Sequence, residues 1–142
     1  MESLGLRRSL SWLTCVLMLS ASLPAAMHSA GRWVGTWSAA PEAQVNTSGM
    51  PGATGTSYRE IVHLSAGGTA VRVVLTNEFG LGPLTIGAAQ IAVSTGGGAI
   101  DASTARPLSF GGQASVTLPA GTKMVSDPVE MTVPALANVA VS

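Results

Sequence analysis

The sequence is poor in charge and in aromatic residues. Of its 142 residues, 7 are Lys or Arg and 7 are Asp or Glu, and the aromatics are 3 Trp, 2 Phe and 1 Tyr. Soluble domains ordinarily carry roughly a quarter charged residues, so this composition argues against coiled coils and charged disordered tails. No cluster of Lys and Arg supplies the electrostatic footprint that a phosphate backbone requires. We therefore predict no nucleic-acid partner.

Long apolar runs are also missing. Residues 10–23 follow two arginines and form an apolar run that four hydroxyl residues interrupt. This run is shorter than the ~20 apolar residues that a membrane span requires. A basic start, an apolar stretch of this length and then small residues are typical of an export signal. We predict a signal peptide over residues 1–30, cleaved within residues 25–30, and hence a secreted protein with no stable membrane span after cleavage. A membrane anchor is the alternative.

The only cysteine, Cys15, lies inside that predicted signal. Residues 31–142 therefore have no disulfide, and their stability must come from core burial and hydrogen-bonded strands. These 112 residues, with 5 basic and 6 acidic side chains, have the size of one small domain. They include a single histidine, whereas a metal site needs several convergent His, Cys or carboxylate ligands, so no metal or cofactor is predicted.

Apolar and polar residues alternate with a period of two through most of this domain, and Gly and Pro clusters separate the runs. The predicted strands are residues 58–64, 71–75, 84–93, 114–118, 129–133 and 139–141. Residues 46–52 are predicted to be a loop. We predict an all-β domain over residues 31–142, an antiparallel β-sandwich of jelly-roll type.

Two expectations concern strand pairing. Residues 58–64 and 71–75 are joined by a short Gly-rich segment, which predicts a hairpin. Residues 138–142 have the pattern of a strand without a turn or polar cap after it. An unpaired strand favours aggregation, so the pattern predicts a sheet that is incomplete at its C-terminus, as in a fragment.

Few residues suggest catalysis. His63 could act as a base oriented by Asp101 or Asp127, with a serine as nucleophile, but a lone histidine on a strand is more often a hydrogen-bonded sheet residue. The sequence has no Gly-x-Ser-x-Gly turn and no phosphate-binding glycine loop. Three glutamates are interpreted as surface charges because nothing in their spacing brings two carboxylates together: Glu60, Glu78 and Glu130. No catalytic residue is predicted.

Trp33 and Trp37 are the more informative aromatic residues. On a strand over residues 33–37 both indoles would lie on one face, with Gly35 between them. Such a pair could stack on a sugar ring, together with Tyr58, or pack against a neighbouring domain. Packing is the favoured interpretation, because indoles bury large areas.

The segment Arg32-Trp33-Val34-Gly35-Thr36-Trp37-Ser38-Ala39-Ala40-Pro41 resembles the start of the mature region in secreted bacterial SGNH/GDSL-type esterases. Other segments resemble the N-terminal β region of the same family, and together they cover most of the chain after the signal: residues 59–68, 71–80, 83–89, 106–112, 125–129 and 136–142.

The resemblance implies a serine esterase whose catalytic machinery is missing here. Such enzymes use a serine in a Gly-Asp-Ser block, an oxyanion hole that includes a Gly and an Asn, and a late Asp-x-x-His, because a serine hydroxyl needs a base and the oxyanion needs fixed donors. In this chain Asp101 precedes Ala102, Asp127 precedes Pro128, and no histidine follows His63.

In the family the catalytic domain follows the β region. We therefore predict a non-catalytic N-terminal β domain of a secreted ester hydrolase, which is inactive alone. Its intramolecular partner would be a hydrolase domain, and the associated substrate class would be an ester. The alternative is a free-standing extracellular module that binds glycan or has a structural role.

Overall fold

A computed structural model describes residues 31–43 and 55–142 of the chain. The predicted signal peptide, residues 1–30, and the predicted loop, residues 46–52, lie outside the described residues. The chain divides into two compact units, residues 1–33 and 34–142, and all the described strands belong to the second. The described residues contain no helix that is long and apolar enough to cross a membrane.

The described part of residues 34–142 is all-β and antiparallel, as predicted. One short 3-10 turn over Ala102–Thr104 is its only helical element. The strands are β1 (Glu60–His63), β2 (Gly68–Val71), β3 (Val74–Thr76), β4 (Leu84–Ile86), β5 (Gln90–Gly96), β6 (Ala99–Ile100), β7 (Arg106–Pro107), β8 (Val116–Leu118), β9 (Lys123–Val125), β10 (Val129–Val133) and β11 (Asn138–Val141).

The first layer is a sheet in the order β1, β11, β5, with both β6 and β7 paired to the outer side of β5. Its register places Val62 opposite Val139, and Val139 opposite Val93. Because side chains alternate across a strand, these three valines lie on one face of the sheet. That face is turned toward the core.

The second layer is a long two-stranded ribbon. Residues 68–86 run antiparallel to residues 116–133, so that β2 pairs with β10, β3 with β9 and β4 with β8. The ladder is interrupted after β2, where the Ser126 amide donates to the Val73 carbonyl (2.8 Å) and the Val73 amide donates to Ser126 Oγ (3.0 Å). A second interruption, after β3, is a longer loop over residues 77–83.

The core lies between the sheet and the ribbon. It joins residues of both layers with the segment that follows β7: Val62, Leu64, Ile91, Leu108, Phe110, Met131, Val133 and Val139. The period-two pattern accounts for this arrangement, because buried Val62 and Leu64 alternate with exposed Ile61 and His63.

The predicted hairpin between residues 58–64 and 71–75 is wrong. β1 pairs with β11, whereas β2 and β3 pair with β10 and β9 in the other layer. Residues 65–67 thus cross between layers instead of reversing the chain within one sheet. An alternating strand accepts any antiparallel partner that buries its apolar face, so a short Gly-rich connection does not determine which partner it takes.

The predicted incomplete sheet could take two forms, an unpaired terminal strand or a missing neighbouring strand, and the first of these is wrong. β11 pairs with β1 on one side and β5 on the other, and Gln90 and Ser142 exchange two backbone hydrogen bonds of 2.8 and 2.9 Å. The predicted strand over residues 84–93 is likewise two strands, because β4 joins the ribbon and β5 joins the sheet. A single alternating run in the sequence therefore forms one strand in each layer.

Substitution of Gly67 tests how closely the chain packs where it crosses between the layers. A Cβ at this position would lie 2.6 Å from both the Val133 carbonyl oxygen and the Ala135 nitrogen, and these backbone atoms cannot move without shifting the ribbon. We expect Gly67→Ala to lower the free energy of unfolding by about 2 kcal/mol, measured by urea denaturation.

Gly87→Ala is the matched control, because a Cβ at Gly87 meets nothing within 4 Å. It should change the free energy of unfolding by less than about 0.5 kcal/mol. Equal effects of the two substitutions would contradict the close approach of residue 67 to residues 133–135.

Candidate functional site

Trp33 and Trp37 are both half exposed, at 49% and 50%. The predicted strand over residues 33–37 is wrong, since residues 31–43 contain no strand. Thr36 is instead held at a single point: its carbonyl accepts from the amide (3.0 Å) and hydroxyl (2.8 Å) of Ser65, and its hydroxyl bonds both backbone groups of Ala66 at 2.9 Å. These bonds hold Thr36 to the segment that follows β1.

The anchor at Thr36 places Trp37 at the end of the sandwich where the layers cross. Its partner Ser65 follows Leu64, whose carbonyl accepts a hydrogen bond from the Leu136 amide at 2.9 Å. Leu136 is 67% exposed and has φ of 64°, a left-handed conformation that is uncommon for a branched side chain. We call Trp37 and Leu136 the crossing patch. Both are exposed and apolar, and backbone hydrogen bonds hold Leu136 itself and Thr36, the residue before Trp37.

His63 is an exposed cross-strand residue on β1. Its Nδ1 lies 2.8 Å from Asn138 Oδ1 on β11, directly opposite in the register. The suggested carboxylate partners are both engaged elsewhere, Asp101 with Ser103 and Asp127 with Ser109. The described residues therefore do not bring His63 together with a carboxylate and a serine.

Asp127 is the most highly coordinated carboxylate in the described part of the chain. It accepts hydrogen bonds from the Gly112 amide (2.8 Å), the Ser109 hydroxyl (2.7 Å) and the Gly111 amide (3.1 Å). Gly111 and Gly112 have positive φ angles of 59° and 79°, respectively, and successive backbone amides in such a turn can bind one anionic oxygen group together. The pKa of Asp127 is lowered from its ordinary value of 3.8, first by the hydrogen bond from the Gly112 amide and next by that from the Ser109 hydroxyl. The charge of Arg72 lowers this pKa by a smaller amount.

Asp101 has a similar structural role at the 3-10 turn. Its carboxylate accepts from the hydroxyl (2.7 Å) and amide (3.0 Å) of Ser103, and these two bonds, the hydroxyl first, lower the pKa of Asp101. The turn then presents Thr104 to the sheet, where its hydroxyl accepts from the Val93 amide at 2.9 Å. Asp101 thereby holds the edge of β5, as an N-cap residue holds the first turn of a helix.

An open cleft of about 420 Å³ lies between the sheet and the ribbon along this edge. Its walls carry one cation, one carboxylate, three hydroxyls and two apolar side chains: Arg106, Glu130, Thr69, Thr104, Thr132, Val93 and Met131. Two backbone carbonyls, those of Ser103 and Ala105, accept hydrogen bonds from the Arg106 guanidinium. The cleft has groups for orienting a small polar molecule, since a fixed cation and a carboxylate on opposite layers can each take one hydrogen-bonding group.

Sequence reasoning missed this cleft. Arg106 and Glu130 lie on strands that are remote in sequence and become neighbours only when the two layers stack. Of the three glutamates, Glu130 lines the cleft, Glu78 forms an ion pair with Lys123 at 3.0 Å, and Glu60 is an exposed residue of β1.

Residues 31–43 and 55–142 contain no group of three or more His, Cys, Asp or Glu side chains placed to hold a metal ion. A scan against models of known protein families gives no match to this chain, and a search of curated proteins gives no significant similarity.

The Asp127 hydrogen bonds predict an acid-sensitive fold. A carboxylate whose pKa is lowered on folding contributes stability above its unfolded pKa, and that contribution is lost as the pH falls through the folded value. We expect the urea midpoint to decline below about pH 4, and Asp127→Asn to weaken this decline. Urea titrations between neutral pH and pH 2 measure it.

Glu60→Gln removes the same charge from an exposed position on β1 and serves as control. If it altered the acid-dependent decline as much as Asp127→Asn, the hydrogen-bonded carboxylate would not be its source.

Proposed function

We propose that this chain is the non-catalytic N-terminal β domain of a secreted SGNH/GDSL-type carboxylic ester hydrolase. In this proposal the domain packs against a hydrolase domain of the same polypeptide, encoded beyond Ser142. The proposal starts from the resemblance of the segments between residues 32 and 142 to that family's β region. It is supported by the way those segments are used in the fold.

Two polar residues in the resembling segments, Asn77 and Asp127, bind the backbone of their own domain, and this observation carries the proposal. Asn77 donates to the carbonyls of Gly82 and Leu118, both at 2.9 Å. Asp127, in another of these segments, binds the amides of Gly111 and Gly112 in a third. Side chains committed to their own main chain stabilise a scaffold, whereas acyl transfer requires a nucleophile, a base and oxyanion donors that converge on one point.

The crossing patch supplies a surface for the partner domain. Trp37 and Leu136 are each half or more exposed, and hydrogen bonds hold the backbone at Leu136 and at Thr36, the residue before Trp37. Exposed apolar residues on an ordered backbone are typical of protein contacts, and tryptophan is enriched among the residues that dominate such contacts. We assign to this patch the packing role that the sequence suggested for Trp37.

The gene itself provides the direct test. Reading the DNA beyond the Ser142 codon in all three frames should reveal a Gly-Asp-Ser block within several dozen codons and, further on, Asp-x-x-His. Absence of these blocks from every frame would refute the proposal.

The purified chain provides a biochemical test of the same proposal. We expect it to hydrolyse p-nitrophenyl acetate no faster than its His63→Ala variant, because His63 binds Asn138 rather than a carboxylate and serine. Turnover by the parent that is abolished in His63→Ala would place an active site within this chain and contradict the proposal.

A glycan-binding module is the second candidate function, favoured by the half exposure of both indoles. Titration of the chain with soluble polysaccharides, followed by tryptophan fluorescence, separates the two. A saturable emission change that is lost in Trp37→Ala would support glycan binding, and unchanged emission would count against it.

A further inference from the structure

The loop between β3 and β4 carries the most exposed apolar side chain of the described residues. Leu81 is 103% exposed, which means that no neighbouring residue covers it. Phe79, two residues before it, and Leu84, at the start of β4, are also exposed. We call these three residues the apolar tip.

The backbone beneath the apolar tip is held by the side chain and carbonyl of Asn77. This asparagine is buried, and its Nδ2 donates to the carbonyls of Gly82 and Leu118, both at 2.9 Å. Its backbone carbonyl accepts from the amides of Gly80 (3.1 Å) and Gly121 (2.9 Å). A Cβ at Gly80 would overlap the Asn77 side-chain oxygen, so the loop passes as close to Asn77 as glycine permits. Leu81 is therefore exposed on an ordered loop.

Charged groups are absent from the tip and from the turn beside it. Residues 79–84 read Phe-Gly-Leu-Gly-Pro-Leu, and the adjacent residues 119–122 read Pro-Ala-Gly-Thr. The flanking charges, Glu78 and Lys123, neutralise each other in an ion pair of 3.0 Å. No side chain of residues 79–84 can donate or accept a hydrogen bond.

We propose that the apolar tip inserts into the acyl region of a lipid surface. A protein partner would ordinarily offer a rim of hydrogen bonds around its apolar contacts, and the side chains of residues 79–84 can make none. A lipid surface requires only that apolar side chains project and that no unpaired charge enters with them. The internal pairing of Glu78 and Lys123 further favours a zwitterionic surface over an anionic one, because no net charge accompanies the tip.

This inference is independent of whether a hydrolase domain follows Ser142. Lipid contact by the apolar tip uses side chains on the ribbon, whereas the proposed partner domain uses the crossing patch at Trp37 and Leu136. The two proposals can therefore fail separately.

Position-specific fluorescence tests the insertion in the full chain. In a Cys15→Ser background, Leu81→Cys is labelled with the environment-sensitive dye NBD and mixed with phosphatidylcholine vesicles. We expect a several-fold rise and a blue shift of NBD emission, and quenching by phosphatidylcholine brominated in its acyl chains. Binding through residues 1–30 alone would not transfer position 81 into the acyl region.

Leu136→Cys, labelled in the same way, is the matched control at an exposed leucine outside the tip. Its emission should stay unchanged, and Phe79→Ser should reduce the response at position 81 without altering the far-ultraviolet circular dichroism spectrum. An unchanged signal at position 81, equal responses at positions 81 and 136, or a response only with vesicles containing phosphatidylglycerol would each overturn the proposal.

Discussion

The sandwich depends on the placement of β11 between β1 and β5. The sequence has a single cysteine, so no intrachain disulfide joins the layers, and pairing across long sequence separations must hold them. β11 pairs with β1 on one side and with β5 on the other, and its Val139 is 1% exposed in the core. Without this strand, β1 would lose its ladder and its connection to β5, and the core would lose Val139 beside Val62.

Polar side chains stabilise the places where strand pairing stops. Thr36 holds the segment before β1, and Asn77 forms hydrogen bonds across the interruption of the ribbon. Asp101 stabilises the turn beside β5, and Asp127 binds the backbone of the loop after β7. Each binds backbone groups that lie outside a continuous ladder: exposed amides at Asp101 and Asp127, and more buried groups at Thr36 and Asn77. This shared use explains why residues that look chemically promising in sequence have structural roles in the fold.

Exposed apolar residues occur in two distinct settings on this domain. The crossing patch combines a tryptophan with a leucine in left-handed conformation, next to the connection between the layers. The apolar tip belongs to an uncharged loop held by Asn77. We propose a protein domain as the partner of the crossing patch and a lipid surface as the partner of the apolar tip.

The sequence by itself determined the fold class and which side chains share a face of a strand. Alternation placed Val62 and Leu64 on one face of β1 and Ile61 and His63 on the other, because a strand's side-chain period is two whatever its partner, and only the fold buried the first face. It did not determine the partners: the expected hairpin of β1 with the next strand, an unpaired β11 and the strand over residues 33–37 all proved wrong. The cleft between Arg106 and Glu130 was likewise unpredictable. Periodicity is a local property, whereas pairing is decided by which combination of remote strands buries the most apolar surface, and only the tertiary structure contains that information.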